Sequence, residues 1–203
     1  MTTASWWRIG RLRFGRTVSP DWPLETARLT LRPFVEGDFE AMHAMRSSPD
    51  VVRYLYEDPF TPEQTRDLLT RKMTVPRWEK EGDWFSVAAV ERASGLMVGD
   101  MALSWASERD RTAEIGFVFD PRHQGKGFAT EAARALVDWA FRTAGLHRVT
   151  GRLEARNIAS SRVLEKLGFR LEAHFVENEW VKEEWQSELV YSILDREWPA
   201  DPS

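Results

Sequence analysis

Three strand-forming segments that follow one another between residues 84 and 119 constrain the fold more than any other feature of the sequence. They read WFSVAAVE (84–91), LMVGDMALSWA (96–106) and TAEIGFVF (112–119), and each is rich in residues that β-strands favour. Gly95 and a charged cluster at 107–111 interrupt them where hairpin turns are expected. The run therefore predicts three consecutive strands that are joined by hairpins.

Helical and strand patterns on both sides of this run extend it to a larger fold. The segment RLTLRPF (28–34) alternates apolar and polar residues as a half-buried strand does, and Pro33 predicts an end or an edge there. Helices are expected over 36–48 (with Asp38 near the N-cap), from Thr61 towards Pro76, over roughly 127–144, and over about 158–167 with a closing Gly168. Further strands are expected over 148–154, 170–177 and 186–194, with a charged loop between the last two. The order β-α-α-β-β-β-α-β-α-β-β predicts an α/β (α+β) protein whose mixed sheet has helices on its faces.

The composition fits one domain that needs neither a disulfide nor a metal. A chain of 203 residues with 42% hydrophobic residues can build one sizeable core, and its net charge of −4 argues against a general nucleic-acid binder. The absence of cysteine excludes a disulfide framework, thiolate zinc sites and a cysteine nucleophile, and the four histidines show no metal-ligand spacing. No apolar run is long enough to cross a bilayer and no secretory signal is evident, so a cytoplasmic protein is expected.

The N-terminal segment differs from the rest of the chain in charge. Its first twenty residues hold four arginines and no acidic residue, and Asp21-Trp22-Pro23 marks a boundary. We therefore expect a basic arm over 1–22, a single domain over 23–198 and a C-terminal tail over 199–203. The arm is loosely similar to a transit peptide, although the two tryptophans at its start fit that poorly; the alternative is a mobile or surface-docked arm.

A glycine-containing junction, PRHQGKGFATE (121–131), lies between the third strand of the run and the helix after it. The first amides of a helix have no intrahelical partner, and glycines at 125 and 127 allow unusual backbone angles, so the junction can form an anion-binding nest. Arg122 and Lys126 would supply nearby positive charge. The alternative is an ordinary connection without a ligand. The spacing matches neither a Walker loop nor the dinucleotide fingerprint, whose third glycine is replaced by Thr130.

Three segments together resemble the GCN5-related N-acetyltransferases, the GNAT superfamily. The junction matches the Arg-x-x-Gly-x-Gly pyrophosphate loop of that superfamily, and NIASSRVLEKLGF (157–169) is similar to its later Asn…Leu-x-x-Lys-x-Gly-Phe segment. ETARLTLRPFVEGD (25–38) is similar to the start of the RimJ/RimL-like branch, which includes the ribosomal-protein N-acetyltransferases. The resemblance covers about residues 24 to 195. It implies a mostly antiparallel sheet of six to seven strands, with helices on both faces and a splayed central strand pair.

The resemblance also implies acetyl-CoA as cosubstrate, without a metal. The coenzyme A pyrophosphate would be held by the loop and the helix start, which comprise Gln124, Gly125, Lys126, Gly127, Phe128 and Ala129, with Arg122 close by. The strand Ile115–Phe119, with Phe117, Val118 and Phe119, would pair with the pantetheine amides as an added strand does. Asn157 would hydrogen-bond the pantetheine arm; the alternative is an N-cap for the helix that follows, and one residue can do both.

The catalytic residues depart from the commonest pattern of the superfamily. Many members place a tyrosine seven positions after the asparagine as general acid, and this chain has Leu164 there. The RimJ/RimL-like branch uses a serine three positions after it, which makes Ser160 the candidate acid, with Ser161 as a substitute. Counting ten residues past Gly-Phe gives Glu179 as general base, with Glu177 second on the same face of an extended strand. The alternatives are a first-turn helix serine and a solvated acidic loop.

The expected function is acetyl transfer from acetyl-CoA to a primary amine by direct attack in a ternary complex. A protein N-terminal α-amino group, such as that of a ribosomal protein, is the preferred acceptor; a polyamine, amino acid or antibiotic amine, and an inactive CoA-binding protein, are the alternatives. Six glutamates between 172 and 188 fit a cationic acceptor. The aromatic residues expected to line an acceptor channel are Tyr54, Tyr56, Trp180 and Trp185. Neither nucleic acid nor membrane is expected as a partner, and the protein would be a monomer or homodimer.

Overall fold

One eight-stranded sheet organises the part of the chain that the computed structural model describes, residues 18–74 and 77–199. Its strands are β1 (Leu24–Glu25), β2 (Leu29–Arg32), β3 (Trp84–Glu91), β4 (Met97–Ser107), β5 (Thr112–Phe119), β6 (Arg148–Glu154), β7 (Arg170–Val181) and β8 (Glu184–Leu194). The spatial order is β1-β2-β3-β4-β5-β6-β8-β7. The predicted mixed sheet is confirmed, and the eighth strand is the two-residue β1, which the sequence pattern did not indicate. Most of the predicted arm, and the last four residues of the tail, lie outside the described residues.

Five α-helices occur in the described ranges: α1 (Phe39–Arg46), α2 (Pro49–Val52), α3 (Pro62–Lys72), α4 (Phe128–Arg142) and α5 (Ile158–Lys166). The one-turn α2 was not predicted, because four residues are too few to show a helical period. Thr61 caps α3 in the predicted way, since its hydroxyl accepts a hydrogen bond from the Gln64 amide while the Gln64 side chain binds the Thr61 amide. No helix within the described residues is long and apolar enough to cross a membrane.

The sheet is antiparallel throughout except between β5 and β6, which are parallel. That pair is joined only over its first three residues, from Thr112–Arg148 to Glu114–Thr150. Beyond Glu114 the two strands separate, although each continues for several residues. The expected splay of a central strand pair is confirmed.

The helices cover both faces of the sheet, as predicted. Alternation along β3 sends Val87 and Ala89 to one face and Ala88 and Val90 to the other. The first face belongs to the larger core beneath α4, whose apolar stripe includes the fully buried Leu136. The second face belongs to a smaller core with α1 and α3. Because both faces are buried, the side chains of β4 and β5 can each face only one way, and this determines which of them line the opening beside β5.

The hairpin formed by β7 and β8 is longer than the sequence predicts. Pairing continues to Val181 and Glu184, so the segment expected to be a charged loop is mostly strand. Its tight turn uses Lys182 and Glu183, both with positive φ, at +51° and +61°. Hairpin turns of this kind favour asparagine and glycine, so two charged residues gave no turn signal. The correction matters because it places Glu179 on a paired strand.

Candidate active site

A cleft of about 570 Å³ opens where β5 and β6 diverge. Its walls come from β4 to β8, the ends of α1 and α3, one side of α5 and the loop after α2. Past Glu114, one edge of β5 has no strand partner among the described residues, because β4 pairs only with the other edge. Such an edge presents backbone donors and acceptors to an extended ligand. The cleft can therefore bind a chain with amide groups alongside β5.

The predicted anion nest lies at the start of α4, beyond the end of β5. Gly125 and Gly127 have φ of +75° and +82°, so the expected unusual backbone angles are confirmed, and Gly127 is the N-cap of α4. Free helix-terminal amides and the helix dipole make this end electropositive. The Gln124 amide differs from its neighbours, since it donates to the Pro121 carbonyl at 3.2 Å. The nest available to an anion therefore begins at Gly125.

The two cations expected beside the nest have different surroundings. The Arg122 guanidinium donates to both carboxylate oxygens of Asp120, and its Nη2 lies 2.5 Å from Oδ2. This hydrogen bonding holds the pKa of Asp120 below its ordinary value. Lys126 makes no ion pair with a described residue, and its ammonium lies 5.9 Å from the centre of the Phe128 ring. Lys126 is thus the less compensated of the two charges.

Arg28 on the loop before β2 supports the nest from outside, a role that was not predicted from the sequence. Its Nη1 donates to the Lys126 carbonyl at 2.8 Å, and its Nη2 lies 2.6 Å from the Glu131 carboxylate in the first turn of α4. The guanidinium also lies over the Phe128 ring, 4.8 Å from its centre. Arg28 therefore fixes the loop and offsets an acidic side chain that would otherwise repel an anion.

The β5 residues predicted to bind pantetheine do not all face the cleft. Phe117 and Val118 line it, whereas the Phe119 side chain is buried against Gly99 of β4. A Cβ at Gly99 would come 2.5 Å from the Phe119 ring, so only glycine fits opposite that ring. Phe119 can offer its backbone to a ligand, while its side chain belongs to the core.

The start of α5 brings Asn157 and Ser160 to the cleft wall. The Asn157 side chain accepts a hydrogen bond from the Ser160 amide at 3.1 Å, which is the N-cap that was left open as an alternative. The Ser160 hydroxyl has no hydrogen-bond partner among the described residues. Ser161 is buried and donates to the Asn157 carbonyl, while Leu164 packs against Gly151 of β6. Of the two serines, only Ser160 lines the cleft.

The two candidate bases on β7 lie in different environments. Glu179 lines the cleft, and its carboxylate accepts a hydrogen bond of 2.7 Å from the Tyr56 hydroxyl. Glu177 is exposed, does not line the cleft and has a φ of +48° within an irregularity of the β7–β8 pairing. Because this bulge breaks the alternation of an extended strand, the expectation that both side chains share one face is wrong.

The four aromatic residues suggested for an acceptor channel divide into two pairs. Tyr54 and Tyr56 line the cleft from the loop after α2. Trp180 and Trp185 lie outside the cleft lining, where their exposed rings pack edge to face at 5.4 Å. Only the tyrosines are therefore placed to contact a ligand in the cleft.

Charged residues of the cleft interior were not predicted from the sequence. Glu114 lies at the point where β5 and β6 separate, and burial raises the pKa of its carboxyl. Arg152 binds the buried Glu188 on the neighbouring wall at 2.8 Å. On the β4 side, Arg46, Lys72 and Asp100 are buried and also line the cleft. No short motif joins these residues, because they are brought together by the sheet register and by two separate helices.

Comparison with known proteins agrees with this geometry. Residues 28–170 match the family model described as "Acetyltransferase (GNAT) domain". The crystal structure of an acetyltransferase (GNAT family) from Bacillus anthracis is similar at a TM-score of 0.78 and 32% identity, and covers 86% of this chain and 99% of that one. The uncharacterized N-acetyltransferase YnaD of Bacillus subtilis (strain 168) is 31% identical over 86% of this chain and 98% of its own.

Two further relatives have names that mention an acceptor. The spermidine N(1)-acetyltransferase of Vibrio cholerae is 26% identical over 85% of this chain and 96% of its own length. The putative ribosomal N-acetyltransferase YdaF of Bacillus subtilis is 30% identical over 64% of this chain and 72% of its own. Since the family match extends from the Arg28 loop through α5 and the fold is shared, this chain belongs to the GNAT family of acetyltransferases.

Proposed function

We propose that the protein transfers the acetyl group of acetyl-CoA to a primary amine by direct attack in a ternary complex, and that the amine is the α-amino group of a peptide or protein. One observation carries the proposal: β5, one strand of the pair that separates, leads through the glycine loop into the electropositive start of α4. In that arrangement the phosphates of a thioester cosubstrate would bind at the helix start and its thioester group would lie in the cleft. The cleft would remain open to a second substrate. A cytoplasmic site of action, without a metal, forms part of the proposal.

The residues present are compatible with coenzyme A at three points. The amides from Gly125 to Ala129, with Lys126, suit a pyrophosphate, because both glycines already have the backbone angles of a nest. The free edge of β5 suits the pantetheine amides. Asn157 retains its side-chain amide group as a donor, since only its oxygen is used in the N-cap. When bound, acetyl-CoA would supply the thioester carbonyl that the amine attacks.

The side chains at the splay would manage two protons while the N–C bond forms and the C–S bond breaks. Glu179 would accept the proton that leaves the amine, directly or through a water, with Glu177 second because of its position outside the cleft. Ser160 would donate a proton towards the departing sulfur, because its hydroxyl is free and lies on the cleft wall. A backbone amide of β5 would polarise the carbonyl. No covalent intermediate on the protein is required.

The cleft charges support an amine acceptor. Glu114, Glu179 and Glu188 all line it, and carboxylates attract the protonated form of an amine before it loses its proton. A small cationic amine is therefore the second candidate, and the similarity to a spermidine N(1)-acetyltransferase supports it. The similarity to the putative ribosomal N-acetyltransferase YdaF supports the protein α-amino group.

A thiol-release assay with acetyl-CoA tests the proposal. The acceptors are peptides with free and with blocked α-amino groups, spermidine, and free amino acids. Release that requires a free α-amino group is the expected result, and mass spectrometry should locate the acetyl group there. Tight CoA binding without thiol release from any amine would instead support a CoA-binding protein without turnover.

A further inference from the structure

Three buried charged residues form a cluster on the β4 side of the cleft. Arg46 ends α1, Lys72 ends α3, and Asp100 lies on β4. Arg46 Nη2 lies 2.7 Å from Asp100 Oδ2, and Lys72 Nζ lies 2.9 Å from the same oxygen. The three residues are only 8%, 7% and 3% exposed, yet all of them line the cleft. The cluster is therefore a nearly dry part of the cleft wall.

The cluster has more positive than negative charge. Two cations share one carboxylate; the other neighbours of the Lys72 ammonium are neutral, namely the Ser86 hydroxyl at 2.9 Å and the rings of Phe34 and Trp84, whose centres lie 5.5 and 5.7 Å away. Arg46 Nε is buried and has no hydrogen-bond partner among the described residues. Burial of an uncompensated charge or donor is costly, and an anionic ligand at the cleft wall would reduce that cost. The cluster therefore has one positive charge that no carboxylate within it balances, at the wall of the cleft.

The register of the sheet places this cluster and the acidic end of the cleft at a defined separation. Asp100 is opposite Val118, while Ser104 on the same face of β4 is opposite Glu114. Four residues of strand separate the two positions, which corresponds to about 13 Å. The cleft is thus cationic at one end and acidic at the other. A ligand with an amine and a separate anionic group matches both ends, whereas a polyamine matches only one.

We propose that Arg46 and Lys72 bind a carboxylate of the acceptor, so that the substrate class is an amine with an accompanying carboxylate. The carboxylate belongs to an acidic side chain near a peptide N-terminus, because the amine and the carboxylate of a free amino acid are only about 3 Å apart and cannot reach both ends of the cleft. This inference rests on the proposed acetyltransferase function and narrows its acceptor. The same ion pairs also join α1 and α3 to β4, so its test needs a measurement that a purely structural role would not change.

Matched acceptors provide that measurement on the unmodified protein. The first pair is alanine and alaninamide, and the second is the dipeptide amides Ala-Glu-NH2 and Ala-Gln-NH2, with spermidine as a fifth acceptor. We expect kcat/KM to be at least about tenfold higher for Ala-Glu-NH2 than for Ala-Gln-NH2, and similar for alanine and alaninamide, whose amine and terminal group are too close together to reach both ends of the cleft. Equal values within both pairs while transfer proceeds, or a preference for spermidine, would overturn the inference.

The variant Lys72→Met tests the assignment of the preference to this cluster. It removes one cation, keeps the length of the side chain and leaves the Arg46–Asp100 pair. We expect the carboxylate preference, which is the ratio of kcat/KM for Ala-Glu-NH2 to that for Ala-Gln-NH2, to fall to near one, whatever change the substitution causes in the absolute rates. Lys166→Met, an exposed change at the end of α5, is the matched control and should retain the preference. A preference that persists in Lys72→Met contradicts the proposed site.

Calorimetry separates a failure of this inference from a failure of the proposed function. N-acetylalanine and N-acetylalaninamide, and the N-acetylated forms of the two dipeptide amides, are titrated into the protein with CoA present. We expect N-acetyl-Ala-Glu-NH2 to bind more tightly than N-acetyl-Ala-Gln-NH2. If that result is found and no amine is acetylated, the proposed enzymatic function is contradicted while the proposed carboxylate site is supported. Equal affinity within both pairs would contradict the proposed carboxylate site, even if the protein acetylates amines.

Discussion

The Tyr56 hydroxyl donates a hydrogen bond of 2.7 Å to the Glu179 carboxylate, which connects the loop after α2 to β7 at the cleft. Burial, together with this carboxylate, raises the pKa of Tyr56 to about 12. The contact joins residues from distant parts of the chain. It holds the candidate base in the cleft, and the Tyr56 titration therefore reports on that position.

Tyrosinate absorbance provides the first prediction. The difference between the titrations of the unmodified protein and Tyr56→Phe should have a midpoint near pH 12, and Glu179→Gln should move that midpoint towards the ordinary value of about 10. Because the unfolded state loses the proton first, this residue's contribution to stability is complete below about pH 10 and is lost as the pH rises towards 12. A difference midpoint near 10 in the unmodified protein would mean that the Tyr56–Glu179 contact is absent in solution.

Ser160→Ala is the second prediction and tests the proton donor. If Ser160 donates to the departing sulfur, kcat should fall by about 100-fold, within the range typical of general acid catalysis, while the affinity for acetyl-CoA changes little. Steady-state kinetics together with CoA titration separate these two effects. Ser161→Ala is the neighbouring control, since Ser161 does not line the cleft. A kcat that remains unchanged in Ser160→Ala would leave Ser160 as a helix residue only.

Arg28 provides the third prediction, which concerns the support of the nest. Arg28→Met removes the hydrogen bond to the Lys126 carbonyl and the charge that offsets Glu131. We expect KM for acetyl-CoA to rise by about tenfold with little change in kcat, which corresponds to one charge-assisted hydrogen bond. KM for S-acetylpantetheine, which lacks the pyrophosphate, should stay unchanged. An equal rise for both donors would indicate general damage to the cleft.

The half-buried Glu114 leads to a fourth prediction about stability. Since burial raises the pKa of its carboxyl in the folded state, the folded protein becomes less stable as the pH rises through the ordinary range of a glutamate and up to that higher pKa. Glu114→Gln should therefore unfold at a higher urea concentration than the unmodified protein at pH 7. The difference should vanish at a pH below the ordinary glutamate value. A variant that is less stable at pH 7 would contradict the assigned cost of this carboxylate.

Features with a local physical cause could be predicted from the sequence. The glycines at 125 and 127 indicated positive φ, Gly168 indicated the end of α5, and the spacing of turn signals indicated the hairpins of β3, β4 and β5. The splay of β5 and β6 followed from the family resemblance, and the pairing confirms it. The glycine and turn features depend on residues that are close together along the chain, whereas the splay concerns two strands that α4 separates in the sequence.

Features that depend on the particular partner of a polar side chain, within a segment or between distant ones, could not be predicted in the same way. Asp38 was expected near an N-cap, and it does precede α1, but its carboxylate binds Arg32 and the Val35 amide and makes no cap hydrogen bond. The cluster of Arg46, Lys72 and Asp100 requires two helices to meet one strand. In the sequence these three residues are isolated charges in three separate segments. The apolar residues of those segments predicted two helices and a strand, and they did not predict that the charges would meet.

The nest at the start of α4 is the central claim, and CoA titration calorimetry on Gly125→Val tests it most directly. Gly95 is the matched control, because its φ of +71° is close to the +75° of Gly125, and at both positions a Cβ would meet nothing within 4 Å. Each substitution should cost at least about 1 kcal/mol of stability, since a side chain disfavours these backbone angles. We predict that Gly125→Val weakens CoA binding by more than about tenfold, whereas Gly95→Val leaves it unchanged. Equal CoA affinity in both variants and the unmodified protein would contradict the assignment of the nest to the pyrophosphate.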